Sequence, residues 1–151
     1  MPHSVKQVHP AQRFFSAEHP LNSHLSLRFL EGDRESLSVA LTAPDAFLVD
    51  SRSGEIHSGL ATLVLDTVMG GLVLAAIEVL QPIATTGLTT QHLRRPRRGE
   101  ELLCNAHCEG IHSDMAHITG QVIAAETGEV LSTATGLFMI GTRSKPLGTR
   151  V

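Results

Sequence analysis

The sequence contains no tryptophan, no tyrosine and only five phenylalanines, so its core has to be built from aliphatic side chains. The same lack removes the aromatic platforms on which unpaired bases stack, and the formal net charge of −3 offers no general basic surface. No nucleic-acid partner is expected. Two cysteines make no disulfide framework, which fits a reducing compartment. The opening segment, MPHSVKQVHPAQR, carries no apolar stretch of the secretory kind, and a cytoplasmic protein is expected.

What remains is an ordinary globular composition: 151 residues, 42% hydrophobic and 18% charged. A single domain of this size buries roughly 68–70% of its unfolded surface. Charge is scarcest between Gly59 and Ile77, where the run GLATLVLDTVMGGLVLAAI holds one ionisable side chain, Asp66. About 17–25 apolar residues suffice for a membrane span. The carboxylate near the middle and the amphipathic patterns on both sides favour a core helix instead, and no membrane span is expected.

An ionised carboxylate in apolar surroundings is unfavourable unless it is paired, hydrogen-bonded or neutralised. Asp66 is therefore the first functional candidate. In a purely structural role it would bond to backbone or to a threonine such as Thr62 or Thr67.

On either side of that run the pattern has period two. Leu25, Leu27 and Phe29 share one face, and Leu37, Val39 and Leu41 another, across the polar turn Glu31-Gly32-Asp33-Arg34. Ala43 to Ile56 reads as irregular. Ser58 predicts a helix N-cap, and Gln81-Pro82 predicts the end of the helix near Leu80. Strand patterns then cover Thr85–Leu93, Leu102–Gly110, Ala116–Ala124 and Val130–Ile140, with a turn at Thr127-Gly128.

Short links between the last strands favour antiparallel pairing. The expectation is an α+β fold in which a curved antiparallel sheet of about six strands wraps one long central helix. Residues 1–23 form an N-terminal arm with room for a short helix, 24–140 the domain, and 141–151 a flexible tail. Gly70-Gly71 inside the helix costs about 1 kcal/mol per glycine relative to alanine, which predicts the close approach of another backbone.

The segment His57-Ser58-Gly59-Leu60-Ala61-Thr62-Leu63-Val64-Leu65-Asp66 resembles the His-Gly-Gly…Asp signature of hotdog-fold acyl-CoA thioesterases, in the branch of the phenylacetyl-CoA and 4-hydroxybenzoyl-CoA thioesterases. Thr85 to Glu100, ending Arg94-Arg95-Pro96-Arg97-Arg98-Gly99-Glu100, resembles the same family's strand and basic turn. The similarity spans about residues 24 to 140. It implies thioester hydrolysis without a cofactor or metal. Asp66 would act as nucleophile or general base, and the backbone N–H of Ser58, with Gly59 beside it, would polarise the carbonyl at the helix start.

By the same resemblance, Thr85 would help orient water; His57 is a candidate general base, or would order the turn as the family's equivalent histidine does. Ser58 departs from the family's first glycine, and Ser51 stands where many relatives carry asparagine. Arg94, Arg95, Arg97 and Arg98 are either a solvated turn or a contact for the phosphates of CoA.

Spacing adds a constraint of its own. Ser58 and Asp66 lie about 12 Å apart along one helix, too far to act on one carbonyl carbon. Ser58 of one subunit must then meet Asp66 of another, so a homodimer or a dimer of dimers is expected, with acyl-CoA as substrate. The alternatives are a non-catalytic acyl-CoA or lipid binder and an enoyl-CoA hydratase, whose Asp and His motif is not found here. The nine histidines are scattered, with no metal-binding spacing, and Cys104 and Cys108, about 13 Å apart on one strand face, read as core fillers.

Overall fold

The computed structural model describes residues 10–16 and 20–143. Two short helices, α1 (Pro10–Ser16) and α2 (Pro20–Leu25), precede β1 (Arg28–Gly32) and β2 (Ser36–Thr42). A 3-10 turn (Asp45–Phe47) leads into a small ribbon of β3 (Leu48–Asp50) and β4 (Glu55–Ile56). The long helix α3 (Gly59–Ala76) follows, then β5 (Ile83–His92), β6 (Glu101–His112), β7 (Met115–Ala124) and β8 (Val130–Ile140). Six strands make one antiparallel sheet in the order β1-β2-β6-β7-β8-β5, leaving β1 and β5 at the edges. A long helix inside a six-stranded antiparallel sheet is the expected hotdog plan.

Helix α3 is long and apolar enough to cross a membrane by length and hydropathy. Here its Leu60, Leu65, Val68, Met69 and Leu72 are fully buried against the inner face of the sheet. That face presents Val39, Leu41, Leu102, Cys104, Ile118, Val122 and Phe138. At its centre a row of small residues, Ala106, Gly120 and Ala134, lies in register across β6, β7 and β8. The row lets α3 come close: a Cβ on Gly120 would stand 3.0 Å from Leu65 Cδ2 and 3.3 Å from the carbonyl oxygen of Asn105.

Four expectations need correction. Leu25 ends α2 rather than opening a strand, because Ser26 takes a left-handed turn (φ +50°) before β1. The stretch Ala43 to Ile56 is not wholly irregular, since it holds the β3–β4 ribbon. Helix α3 stops at Ala76, short of Leu80: Ile77 is already extended (φ −79°, ψ 142°), and the chain turns back so that Ile83 can pack beside Gly70. Within one chain the close approach at the paired glycines is an aromatic ring, not a backbone. A Cβ on Gly71 would lie 3.1 Å from the ring of Phe15 in α1, whereas one on Gly70 would make only ordinary contacts.

The N-terminal arm is therefore docked where it is described, with Ala11 and Phe15 buried. Residues 1–9 and 17–19 of the arm, and 144–151 of the expected flexible tail, lie outside the described residues. Cys104 is a core filler whose thiol burial pushes up, while Cys108 is only half-buried.

The arginine-rich turn after β5 braces the approach to α3. Arg94 donates to Glu100 Oε1 (2.7 Å) and to Glu129 Oε2 (3.0 Å), and the Arg97 N–H donates to Glu100 Oε2 (2.8 Å). Arg95 pairs with Glu55 (3.2 Å), and Arg98 with Asp45 (Nε to Oδ1, 2.8 Å). Backbone bonds from Ile56 to Pro96 (2.8 Å) and from Arg98 to Gly54 (2.7 Å) complete the clamp on the ribbon. Burial raises the Glu100 carboxyl, but the hydrogen bonds from Arg94 and Arg97 and their charges outweigh it, holding the group below the ordinary carboxylate range.

Two stability measurements follow from this packing. Gly120→Val should destabilise the fold by about 1–3 kcal/mol in urea unfolding, because neither Leu65 nor the Asn105 carbonyl can yield freely. Glu100 is depressed in the folded state, so it adds stability above its unfolded value of about 4.3 and loses it as pH falls through the lower folded value. Urea midpoints across pH 7 to 3 should show a shallower acid loss for Glu100→Gln than for wild type.

Candidate active site

The path into α3 is fixed by His57. Its N–H donates to the Phe47 carbonyl (2.7 Å), and its Nδ1 accepts the N–H of Gly59 at 3.0 Å. The histidine thus ties the turn to the ribbon and to the first residue of the helix. It also takes the capping role expected of Ser58, whose side chain makes no cap bond. Gly59 is required by this contact, since a Cβ there would stand 2.9 Å from Nδ1. Ser58 has an ordinary right-handed conformation (φ −61°, ψ −20°) and needs no glycine freedom. The N–H groups of Leu60 and Ala61 are taken by the carbonyls of His57 and Ser58. The Ser58 N–H has no acceptor among the described residues, so a donor at the positive end of the helix is left unspent.

Two turns further on, Asp66 lies on a stripe of α3 that the sheet does not cover. Thr62, Leu63, Asp66, Thr67, Gly70 and Leu74 are each only partly buried, while their neighbours are enclosed. Within one chain Asp66 is therefore half-exposed, not the deeply desolvated carboxylate that the apolar run suggested. Strand β5 passes alongside. A β-bulge between Thr85 and Gly87 turns the Thr85 hydroxyl inward, where it donates to Asp66 Oδ1 at 2.8 Å. The Thr86 hydroxyl instead donates to the Leu137 carbonyl (3.1 Å).

The partner of Asp66 is thus Thr85, neither Thr62 nor Thr67. Thr67 bonds back to the Leu63 carbonyl (2.8 Å). Thr62 joins a cluster that the sequence reading did not single out. Its Oγ1 lies 3.3 Å from His92 Nε2 and 3.4 Å from Thr90 Oγ1, and His92 Nδ1 lies 2.9 Å from Ser132 Oγ. A signal was available, since Thr62 stands four residues from Ser58 and four from Asp66, on one helix face.

The remaining candidates are spread apart. Ser51 occupies the exposed turn of the β3–β4 ribbon, on the far side of that ribbon from His57, with no hydrogen bond of its own. Of the four arginines, Arg94, Arg95 and Arg98 are held by carboxylates, and Arg97 alone presents a guanidinium without one among the described residues. A cavity of about 570 Å³ lies on the opposite, outer face of the sheet, lined by Gln91, Asn105, His107, Thr119, Gln121 and Thr133 among others. The sheet separates it from Asp66, and its lining holds no carboxylate.

No protein-family model matches the chain, and no curated protein sequence does. Solved structures do. A phenylacetic acid degradation-related protein of Ralstonia eutropha JMP134 is 25% identical, with a TM-score of 0.73 over 86% of this chain and 98% of its own. A thioesterase family protein of Silicibacter pomeroyi is 19% identical, with a TM-score of 0.76 over 87% and 96%. A hypothetical thioesterase protein of Streptococcus pneumoniae TIGR4, solved with coenzyme A, is 16% identical, with a TM-score of 0.70 over 81% and 92%. A helix with its sheet wrapped in this order, shared at this extent with such structures, gives the chain the hotdog fold, and its architecture is similar to that of proteins described as thioesterases.

Proposed function

We propose that the protein hydrolyses acyl-CoA thioesters at a site shared between two subunits. The observation that carries this reading is the pair of polar groups on one stripe of α3: the Asp66 carboxylate, oriented by Thr85, and the unspent N–H of Ser58. The N–H polarises the thioester carbonyl and stabilises the oxyanion that develops on attack. Asp66 attacks the carbonyl carbon or takes a proton from the attacking water. The C–S bond then breaks, the released thiolate is protonated to free CoA, and on the nucleophilic route water cleaves the acyl anhydride on Asp66 to the free acid. The likeness to a structure holding coenzyme A supports the choice of thioester.

The two groups are about 12 Å apart on one helix, so the donor must face Asp66 of the partner subunit. The partly covered stripe supports that pairing, as does the unpaired outer edge of β5. A second helix laid on the stripe would also remove Asp66 from water. Arg97, with its uncommitted guanidinium, is the group suited to a phosphate of CoA; the other three arginines already brace the ribbon.

Asp66→Asn should fold and lower kcat by about 100-fold or more in a thiol-release assay, the scale of a lost general base. Ser58→Pro deletes the donor N–H while keeping φ near −61°, and should be equally impaired. Mixing equal amounts of the two variants, then unfolding and refolding them together, should restore about a quarter of wild-type activity, since half the subunits at each position are intact. No recovery in verified mixed dimers would refute a shared site, and saturable CoA-ester binding by wild type without thiol release would identify a binder. Arg97→Ala should raise KM for acyl-CoA more than for acyl-cysteamine thioesters, which lack the phosphates.

A further inference from the structure

Ser58, Thr62 and Asp66 follow one another at intervals of four and stand in line on one face of α3. The proposed reaction uses the first and the last. The middle one has a geometry that sets it apart. A hydroxyl within a helix ordinarily has the carbonyl four residues back within reach, and Thr67 uses it, bonding to Leu63 at 2.8 Å. Thr62 forgoes that bond. Its Oγ1 turns to β5, 3.3 Å from His92 Nε2 and 3.4 Å from Thr90 Oγ1. These are long contacts, so the hydroxyl keeps capacity for a third, shorter bond.

His92 is in turn held from behind. Its Nδ1 lies 2.9 Å from Ser132 Oγ, and Ser132, 1% exposed, is the only polar residue in the core among the described residues. A buried hydroxyl is unfavourable without a partner, and the imidazole is the one Ser132 has. Hydroxyls donate and accept, so the ring keeps both contacts in either tautomer. The order of support is Ser132, then His92, then Thr62.

Two antiparallel α3 helices that set Ser58 against Asp66 of the partner subunit leave Thr62 beside the two-fold axis, one helical turn, about 6 Å, from each of the two pairings. On this face the Thr62 hydroxyl is the polar side chain one turn from Ser58, within reach of a water that attacks a carbonyl held there and gives its proton to that carboxylate. We propose that the Thr62 hydroxyl orients the attacking water, and that His92, anchored on Ser132, is the positioning residue that aims Thr62. The inference rests on the assignment of Asp66 and Ser58 above. In the step itself, the water oxygen bonds to the carbonyl carbon, its proton passes to Asp66, the C–S bond breaks, and the thiolate takes up the proton.

The test is steady-state thiol release by the full-length protein, carried out on Thr62→Val, Thr62→Ser, His92→Leu and the Thr62→Val/His92→Leu double variant, with Thr67→Val and Asp66→Asn alongside. Thr62→Val should lower kcat about tenfold with KM within about twofold, and Thr62→Ser should recover most of the loss. His92→Leu should lower kcat similarly, and the double variant should be no slower than Thr62→Val, because one residue acts through the other. Thr67→Val should retain wild-type kcat. If His92→Leu does not fold, His92→Asn takes its place; its shorter amide can reach Ser132 but not Thr62, so the same loss is expected. Wild-type kcat in folded Thr62→Val, losses that multiply in the double variant, or an equal loss in Thr67→Val would each overturn the proposal. Loss in Asp66→Asn with full activity in Thr62→Val removes the Thr62 role alone. Full activity in Asp66→Asn removes the assignment of the site, and this inference with it.

Discussion

A helix as apolar as α3 can be kept from water only by enclosing it, and the rest of the molecule is arranged to do so. The sheet curls so that its inner rows meet Leu60, Leu65, Val68, Met69 and Leu72, while α1 closes another side by setting Phe15 on Gly71. Each fully buried aliphatic side chain of this kind contributes about 1.5–3 kcal/mol relative to exposure. Close approach is what secures it. The small row Ala106, Gly120 and Ala134 lowers the floor of the sheet under Leu65 and Met69.

Enclosure stops at one stripe, and the polar groups of the interior gather along it. Asp66, Thr62 and the start of the helix lie where the sheet leaves off, and the edge strand β5 supplies Thr85, Thr90 and His92 to meet them. A carboxylate in the enclosed part of the helix would face only hydrocarbon. On the stripe it has a hydroxyl partner and an open side. The basic turn holds this arrangement from outside, tying the ribbon that feeds α3 to the same edge strand through Glu100, Glu55 and Asp45.

Much of this was legible in the residues because the patterns are local. Period-two burial in Leu37, Val39 and Leu41, or in Leu102, Cys104 and Ala106, reports directly which side of a strand is covered. The lone Asp66 and the His57-Ser58-Gly59 start were visible for the same reason. What escaped depends on distant parts of the chain. Apart from nearby Glu100, the partners of the arginines are Asp45, Glu55 and Glu129, and nothing near residues 94–98 announces them. The end of α3 at Ala76 is set by where β5 must begin to pack, not by Pro82. Ser132 and His92 meet only because β8 and β5 are neighbours in the sheet.

The bulge in β5 has a consequence in simple arithmetic. Thr85 and His92 are an odd number of positions apart, and a regular strand would send them to opposite faces of the sheet. The extra residue between Thr85 and Gly87 changes the parity, so both point toward α3. One strand can therefore serve Asp66 at one end and Thr62 at the other. Loss of one residue there would leave the sheet intact and turn one of the two away from the helix, making residue count, as much as residue type, a condition of the site.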